Sequence, residues 1–166
     1  MNPELRRDLM AVYEEMIWLA NRPRVTASNA RSWFTHVMAE KMKRRIRRFT
    51  GKVSKLAAED ESAMLRLEHF KRIQTTLTKL VERHYKEQNS AEFIRVVLDC
   101  ERVHIVTVSE NYAAMRAKGN YRNAGIELLP WHALSSGRKR DLWKKMLRGK
   151  VANASRYAPK INEVKP

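Results

Sequence analysis

Cysteine is almost missing from this chain: Cys100 stands alone, which excludes an internal disulfide and any multi-cysteine zinc module. A lone thiol fits a reducing compartment, and a cytoplasmic location is the expectation. Glycine and proline number 5 each, and no stretch is rich in Ser, Gln or Pro, so there is little room for a disordered linker. Long apolar runs are missing as well. Arg6, Arg7, Asp8, Glu14 and Glu15 break up any signal-like segment at the N-terminus, and the longest run without Asp, Glu, Lys or Arg is Leu128 to Gly137, far short of a membrane span. No transmembrane segment is expected. No internal repeat is visible.

Acid is scarce in two places, and there the chain is most distinctive. Residues 41–55 (KMKRRIRRFTGKVSK) hold eight Lys or Arg and no acid, and residues 138–166 hold ten against Asp141 and Glu163. Of the 34 basic residues sixteen remain elsewhere, matched by sixteen of the 18 acids, so these two segments carry the whole net charge of +16 on a neutral framework. Concentrated charge raises local potential and self-repulsion, which a polyanion relieves. The competing explanation is a basic helix face that serves solubility. Two acid-poor runs weigh against it.

With 166 residues and 43% hydrophobic content, the chain can bury one real core. The expected fold is predominantly α, of α+β class, with four to six helices and a small parallel βαβ unit near 103–129. A single helix-rich domain is expected over 1–158, with a helical part at 1–88 and an αβα part at 89–158, followed by a basic tail at 159–166.

Asn2-Pro3 reads as an N-cap with proline at the first helical position, and Leu5, Leu9, Val12, Tyr13, Met16, Ile17 and Ala20 form one stripe of a helix ending near Asn21. Arg22-Pro23-Arg24 breaks it. Thr26 or Ser28 caps a second helix through Phe34, Met38, Met42, Ile46 and Phe49, stopped by Gly51, on which Lys41, Lys43, Arg44, Arg45, Arg47 and Arg48 surround a narrow apolar stripe. Glu59–Glu61 open a long third helix through Met64, Leu67, Ile73, Leu77, Leu80, Val81 and Tyr85 to about Gln88. Asn89 with Glu92 suggests a capping box for a fourth, through Phe93, Val97 and Cys100.

Val103 to Val108 is dense in β-branched residues and reads as a buried strand, although His104, Val108, Tyr112 and Met115 also fit one continuous helix from Ala91 to Lys118. If the strand forms, Ser109 caps a helix to Gly119, and Ile126–Leu129 makes a second strand stopped by Pro130. A crossover of that length suits a parallel βαβ unit. Ser135 or Ser136 caps a last helix carrying Leu142, Trp143, Met146 and Leu147, which Gly149 ends.

Cations that neutralise phosphates release condensed counterions, and guanidinium forks suit phosphate geometry. The candidate contacts to DNA or RNA are therefore Lys41, Lys43, Arg44, Arg45, Arg47, Arg48 and Lys52 in the first segment, and Arg138, Lys139, Arg140, Lys144, Lys145 and Arg148 in the second. Trp143 reads as core rather than as a base-stacking platform. The connection from Arg22 to Ser28 is too long for a helix-turn-helix, so backbone or shape recognition is expected rather than sequence readout.

A metal-dependent nuclease is the enzymatic alternative, with His104 near Cys100 and Glu101 and with His69, preceded by Glu68, or His84 approaching from the third helix. Cys100 and His104 share a face only in a helix. Glu127 is followed two positions on by Leu129 where a Glu-x-Lys pattern needs lysine, no Gly-rich phosphate loop is present, and Ser135-Ser136-Gly137 suits a helix cap better than a nucleophile turn. No cofactor, metal or catalytic residue is assigned. A third alternative is a basic amphipathic segment, led by Trp33 and Phe34, for a protein partner or an anionic membrane, and a homo-oligomer is compatible with the same features.

Overall fold

Asn2 does open the first helix: its side-chain oxygen accepts from the Glu4 N–H at 2.9 Å, and Pro3 fills the first turn, where a missing N–H costs nothing. The computed structural model describes residues 1–37, 40–69 and 71–159, with the backbone alone for Val37, Glu40 and Lys41. In chain order the elements are α1 (Pro3–Ala20), α2 (Ala27–Val37), α3 (Glu40–Ile46), β1 (Arg48–Ser54), α4 (Lys55–Glu59), β2 (Leu65–His69), α5 (Ile73–His84), α6 (Ser90–Cys100), β3 (Arg102–Thr107), α7 (Val108–Arg116), β4 (Leu128–Pro130) and α8 (Ser136–Leu142). The fold is α+β, and the chain divides into two compact units that it enters alternately.

The helical unit comprises Met1–Arg45 and Lys71–Glu101. Leu9, Tyr13, Met16, Ile17 and Ala20 of α1 are buried, as the stripe requires, alongside Phe34 of α2, Leu77, Leu80 and Val81 of α5, and Phe93 and Val97 of α6. Phe93 is the centre of an aromatic group, with ring centroids 5.1 Å from Tyr13 and 5.5 Å from Phe34. Burying each such ring contributes about 1.5–3 kcal/mol. Asn89 caps α6 by accepting from Glu92 N–H at 2.9 Å. Lys71 and Asp99 form an ion pair.

The sheet unit comprises Ile46–Phe70 and Arg102–Pro166 so far as these are described. Its four strands lie in the order β2-β3-β1-β4, with β1 parallel to β3 and the other two pairings antiparallel. Phe49, Val53, Val103 and Ile105 face one side and are joined there by Leu134, Leu142, Met146, Leu147 and Val151, so α8 and the π-helical turn that continues it at Trp143–Leu147 cover that side. Phe49 is further fixed by Asn153, whose side chain accepts from its N–H and donates to its carbonyl, both at 2.9 Å. Ser135 caps α8 through the Arg138 N–H at 3.2 Å.

Several expectations are corrected here. The second helix does not reach Gly51: α3 stops at Ile46, and Arg48 to Ser54 form a strand in which Gly51, at φ +80°, occupies the irregularity between Phe49 and Val53. The long third helix is interrupted as well, because Leu65–His69 pair in register along β3 and α5 begins only at Ile73. Val103 to Thr107 is a strand, so the continuous helix from Ala91 is excluded. The parallel βαβ unit near 103–129 is not formed by β3 and β4. Both edges of β3 are occupied, by β2 and β1, so the chain after α7 passes beyond β1 and pairs with it antiparallel. The cap of α7 is Thr107 rather than Ser109, in a capping box with Glu110.

Candidate nucleic-acid interface

Alternation along the strands decides which way the cations of the sheet unit point. Phe49 and Val53 face the apolar core, and therefore Arg48, Thr50 and Lys52 project from the other face. On β3 the same alternation sends Arg102 and His104 away from the core, and on β2 it sends Arg66 and Glu68. Arg48 and Arg102 are register partners in neighbouring parallel strands, and both are exposed. Like charges side by side across strands are destabilising. Lys52 and Arg66, also exposed, extend the set. Among the described residues neither Arg48 nor Lys52 makes an ion pair.

His104 lies in the covered part of this face and is 4% exposed. Its Nδ1 is 2.5 Å from Thr50 Oγ1, and its ring meets Tyr121 edge-on at 5.6 Å. Burial, reinforced by the positive charges of Lys52 and Arg102, lowers its pKa to about 4. A neutral, enclosed imidazole tying β1 to β3 is poorly placed to meet a polymer substrate. The carboxylate of Glu110 is engaged too, accepting from Ser54 Oγ at 2.5 Å and from the Thr107 N–H at 2.9 Å. Among the described residues no group of three His, Cys, Asp or Glu side chains is placed to hold a metal ion.

The first basic segment does not form one surface on one helix. Lys43 and Arg45 belong to the helical unit: Lys43 Nζ donates to the Thr35 carbonyl at 3.3 Å, and Arg45 reaches back to α1, 2.8 Å from Asp8 Oδ2 and 3.7 Å from Glu4 Oε1. Arg44, in the same turn, is exposed, while the side chain of Lys41 lies outside the described residues. Arg47, Arg48 and Lys52 belong to the sheet unit, where the Arg47 carbonyl accepts from the Ala152 N–H at 2.8 Å.

The second segment is also divided. Arg138 is 5% exposed, and its guanidinium donates to the carbonyls of Ala57 at 2.6 Å and Asp60 at 2.9 Å while pairing with Asp141 at 2.9 Å. It fixes the end of α4 to α8 and leaves the set of exposed cations. Lys139, half-buried, donates to the His132 carbonyl at 3.1 Å, and Arg140 is half-buried beside it. Lys144, Lys145 and Arg148 are exposed on the outer side of the helical layer, with Lys145 3.0 Å from Asp141 and Arg148 over the Trp143 ring at 5.8 Å. Trp143 itself is half-buried against the core and donates to the Ala154 carbonyl at 2.9 Å.

Arg66 and Arg102 were not legible as part of this surface, since each sits among acids in the neutral part of the sequence. Strand register alone brings Arg102 beside Arg48. The basic tail from residue 160 lies outside the described residues, and no helix among those described is long and apolar enough to cross a membrane. Comparison with protein-family models, with curated proteins and with solved structures finds no match for the chain.

Proposed function

We propose that this protein binds DNA or RNA through the phosphate backbone, in a structural or regulatory role rather than as a nuclease. The observation that carries the reading is the exposed pair Arg48 and Arg102, held side by side by parallel register with Lys52 on the same face. Two guanidinium groups side by side on one exposed face are placed to contact successive phosphates of one phosphodiester chain. The enclosure of His104 supports a noncatalytic reading.

The test is a salt titration of affinity, by fluorescence anisotropy with labelled duplex and single-stranded DNA and RNA. Each neutralised phosphate contributes a slope of about 0.9 in log affinity against log salt on a duplex. Replacing Arg48 and Lys52 together by Ala should therefore make the slope shallower by about 2. Binding that is absent, or that does not respond to salt, overturns the reading.

A further inference from the structure

The cations of the sheet unit stand on opposite sides of one hydrophobic layer. Arg48, Lys52 and Arg102 project from the sheet face turned away from the core, whereas Lys144, Lys145 and Arg148 stand on the outer side of the helical layer that covers the other face. Between them lie Phe49, Val53, Ile105, Leu142 and Leu147, all at 2% exposure or less. A helix with its side chains is roughly 10–12 Å across. Two charge sets separated by that helix and the sheet are therefore further apart than the Debye length of about 8 Å at physiological ionic strength. Each set acts as an independent electrostatic surface.

One straight duplex cannot lie against both sides of a layer. We infer that the sheet unit holds two nucleic-acid segments at once, one on each side, and so joins separate strands or distant parts of one molecule. This inference rests on the phosphate-binding reading above. A single continuous track is the alternative, and it would require the two sets to share a face, which the alternation along β1 and the packing of α8 do not allow. A protein that bridged by pairing with itself would need one cationic side per subunit; a protein that bridges as a monomer needs both.

The experiment is capture of a second duplex. One biotinylated DNA duplex is immobilised, the 166-residue chain is added at less than one molecule per duplex, and retention of a fluorescent second duplex is measured, with an RNA duplex as a parallel arm. The variants are Arg48→Ala with Lys52→Ala on the sheet side and Lys144→Ala with Arg148→Ala on the helix side, each checked for an unchanged urea midpoint. The expected result is that wild-type protein retains the second duplex, and that either double variant loses at least tenfold of this retention while the protein itself still binds the immobilised duplex through its other side.

Retention that survives loss of either side overturns the inference, since a self-associating protein with one binding side would behave in that way. So does collapse of single-duplex affinity in both variants, which marks one shared track. Wild-type protein that binds one duplex but retains no second defeats this inference and leaves phosphate binding standing. Wild-type protein that binds no duplex at low salt defeats both.

Discussion

Tyr13 Oη lies 2.9 Å from Nδ1 of His84 and accepts from the Asn89 N–H at 2.8 Å. On the other side of the imidazole, Nε2 lies 2.9 Å from a Glu92 carboxylate oxygen, an acceptor, and so donates its hydrogen there. Arg83 holds the other carboxylate oxygen at 2.5 Å. The hydrogen bond from His84, helped by the charge of Arg83, keeps the Glu92 carboxyl below its ordinary range. Tyr13→Phe keeps the ring against Phe93 but strands a backbone N–H and a buried imidazole nitrogen. Stability should fall by about 1–3 kcal/mol, read as a lower urea midpoint at unchanged m.

Gly51 is required by the irregularity in β1. Its φ of +80° disfavours any L side chain, and a Cβ there would sit 3.2 Å from Tyr157 Oη. Gly51→Ala should cost about 1–2 kcal/mol from backbone conformation alone. It should also disturb the Phe49–Tyr157 ring contact, whose centroids are 4.8 Å apart. Thermal melts of the variant test this: an unchanged Tm would show that the positive φ is not needed.

The same glycine shows where sequence reading failed. A glycine at positive φ closes helices as readily as it makes a strand bulge, and Phe49, three residues after Ile46, continues the helical spacing of Phe34, Met38 and Met42. Leu65 and Leu67 carry a true alternation, but only five residues of it, beside the strong helical pattern of Ile73 to His84. By contrast α1 was legible because a proline-led stripe admits few alternatives, and at β3 the β-branched run outweighed the helical face that His104, Val108, Tyr112 and Met115 also offered. Counting charges along the chain singled out Arg48 and Lys52, which the structure leaves exposed. It could not find Arg102, whose place depends on pairing between distant strands, and it wrongly grouped Arg138 with the exposed cations.

Arg138 should behave as a structural residue. Its loss leaves the carbonyls of Ala57 and Asp60 without their donor inside the protein, and it leaves Asp141 to Lys145 alone. Arg138→Ala should destabilise by about 2–4 kcal/mol, whereas Lys144→Ala on the solvent side should stay within about 0.5 kcal/mol of wild type. Equal urea midpoints for the two variants would contradict the assignment.

Cys100 is buried, and burial raises its thiol pKa to about 11. Little thiolate exists at pH 8, and reagent reaches the sulfur only when the helical unit opens. Alkylation by iodoacetamide at pH 8 should therefore be at least about a hundredfold slower in native protein than in denaturant. Comparable rates in the two conditions would place the thiol in solvent.

The pH dependence of stability should carry the signature of His104. Its folded pKa, about 4, is below the ordinary value of 6.5, so between these values the unfolded chain binds the extra proton. Stability from this group is complete above pH 6.5 and is lost as pH falls toward 4. Burial is the main cause of the shift, and the positive charges of Lys52 on β1 and Arg102 on β3 add to it; Glu68 on β2 faces His104 in register. A shift of that size corresponds to roughly 3 kcal/mol across the window. Thr50 Oγ1 also donates to the Val103 carbonyl at 3.1 Å, so Nδ1–H of His104 is the donor to Thr50 and Asn is the replacement that retains an N–H near that position. Urea midpoints between pH 5 and 6.5 should slope downward with acid in wild type and flatten in His104→Asn. An identical slope in both proteins would mean that the imidazole takes up its proton without opposing the fold.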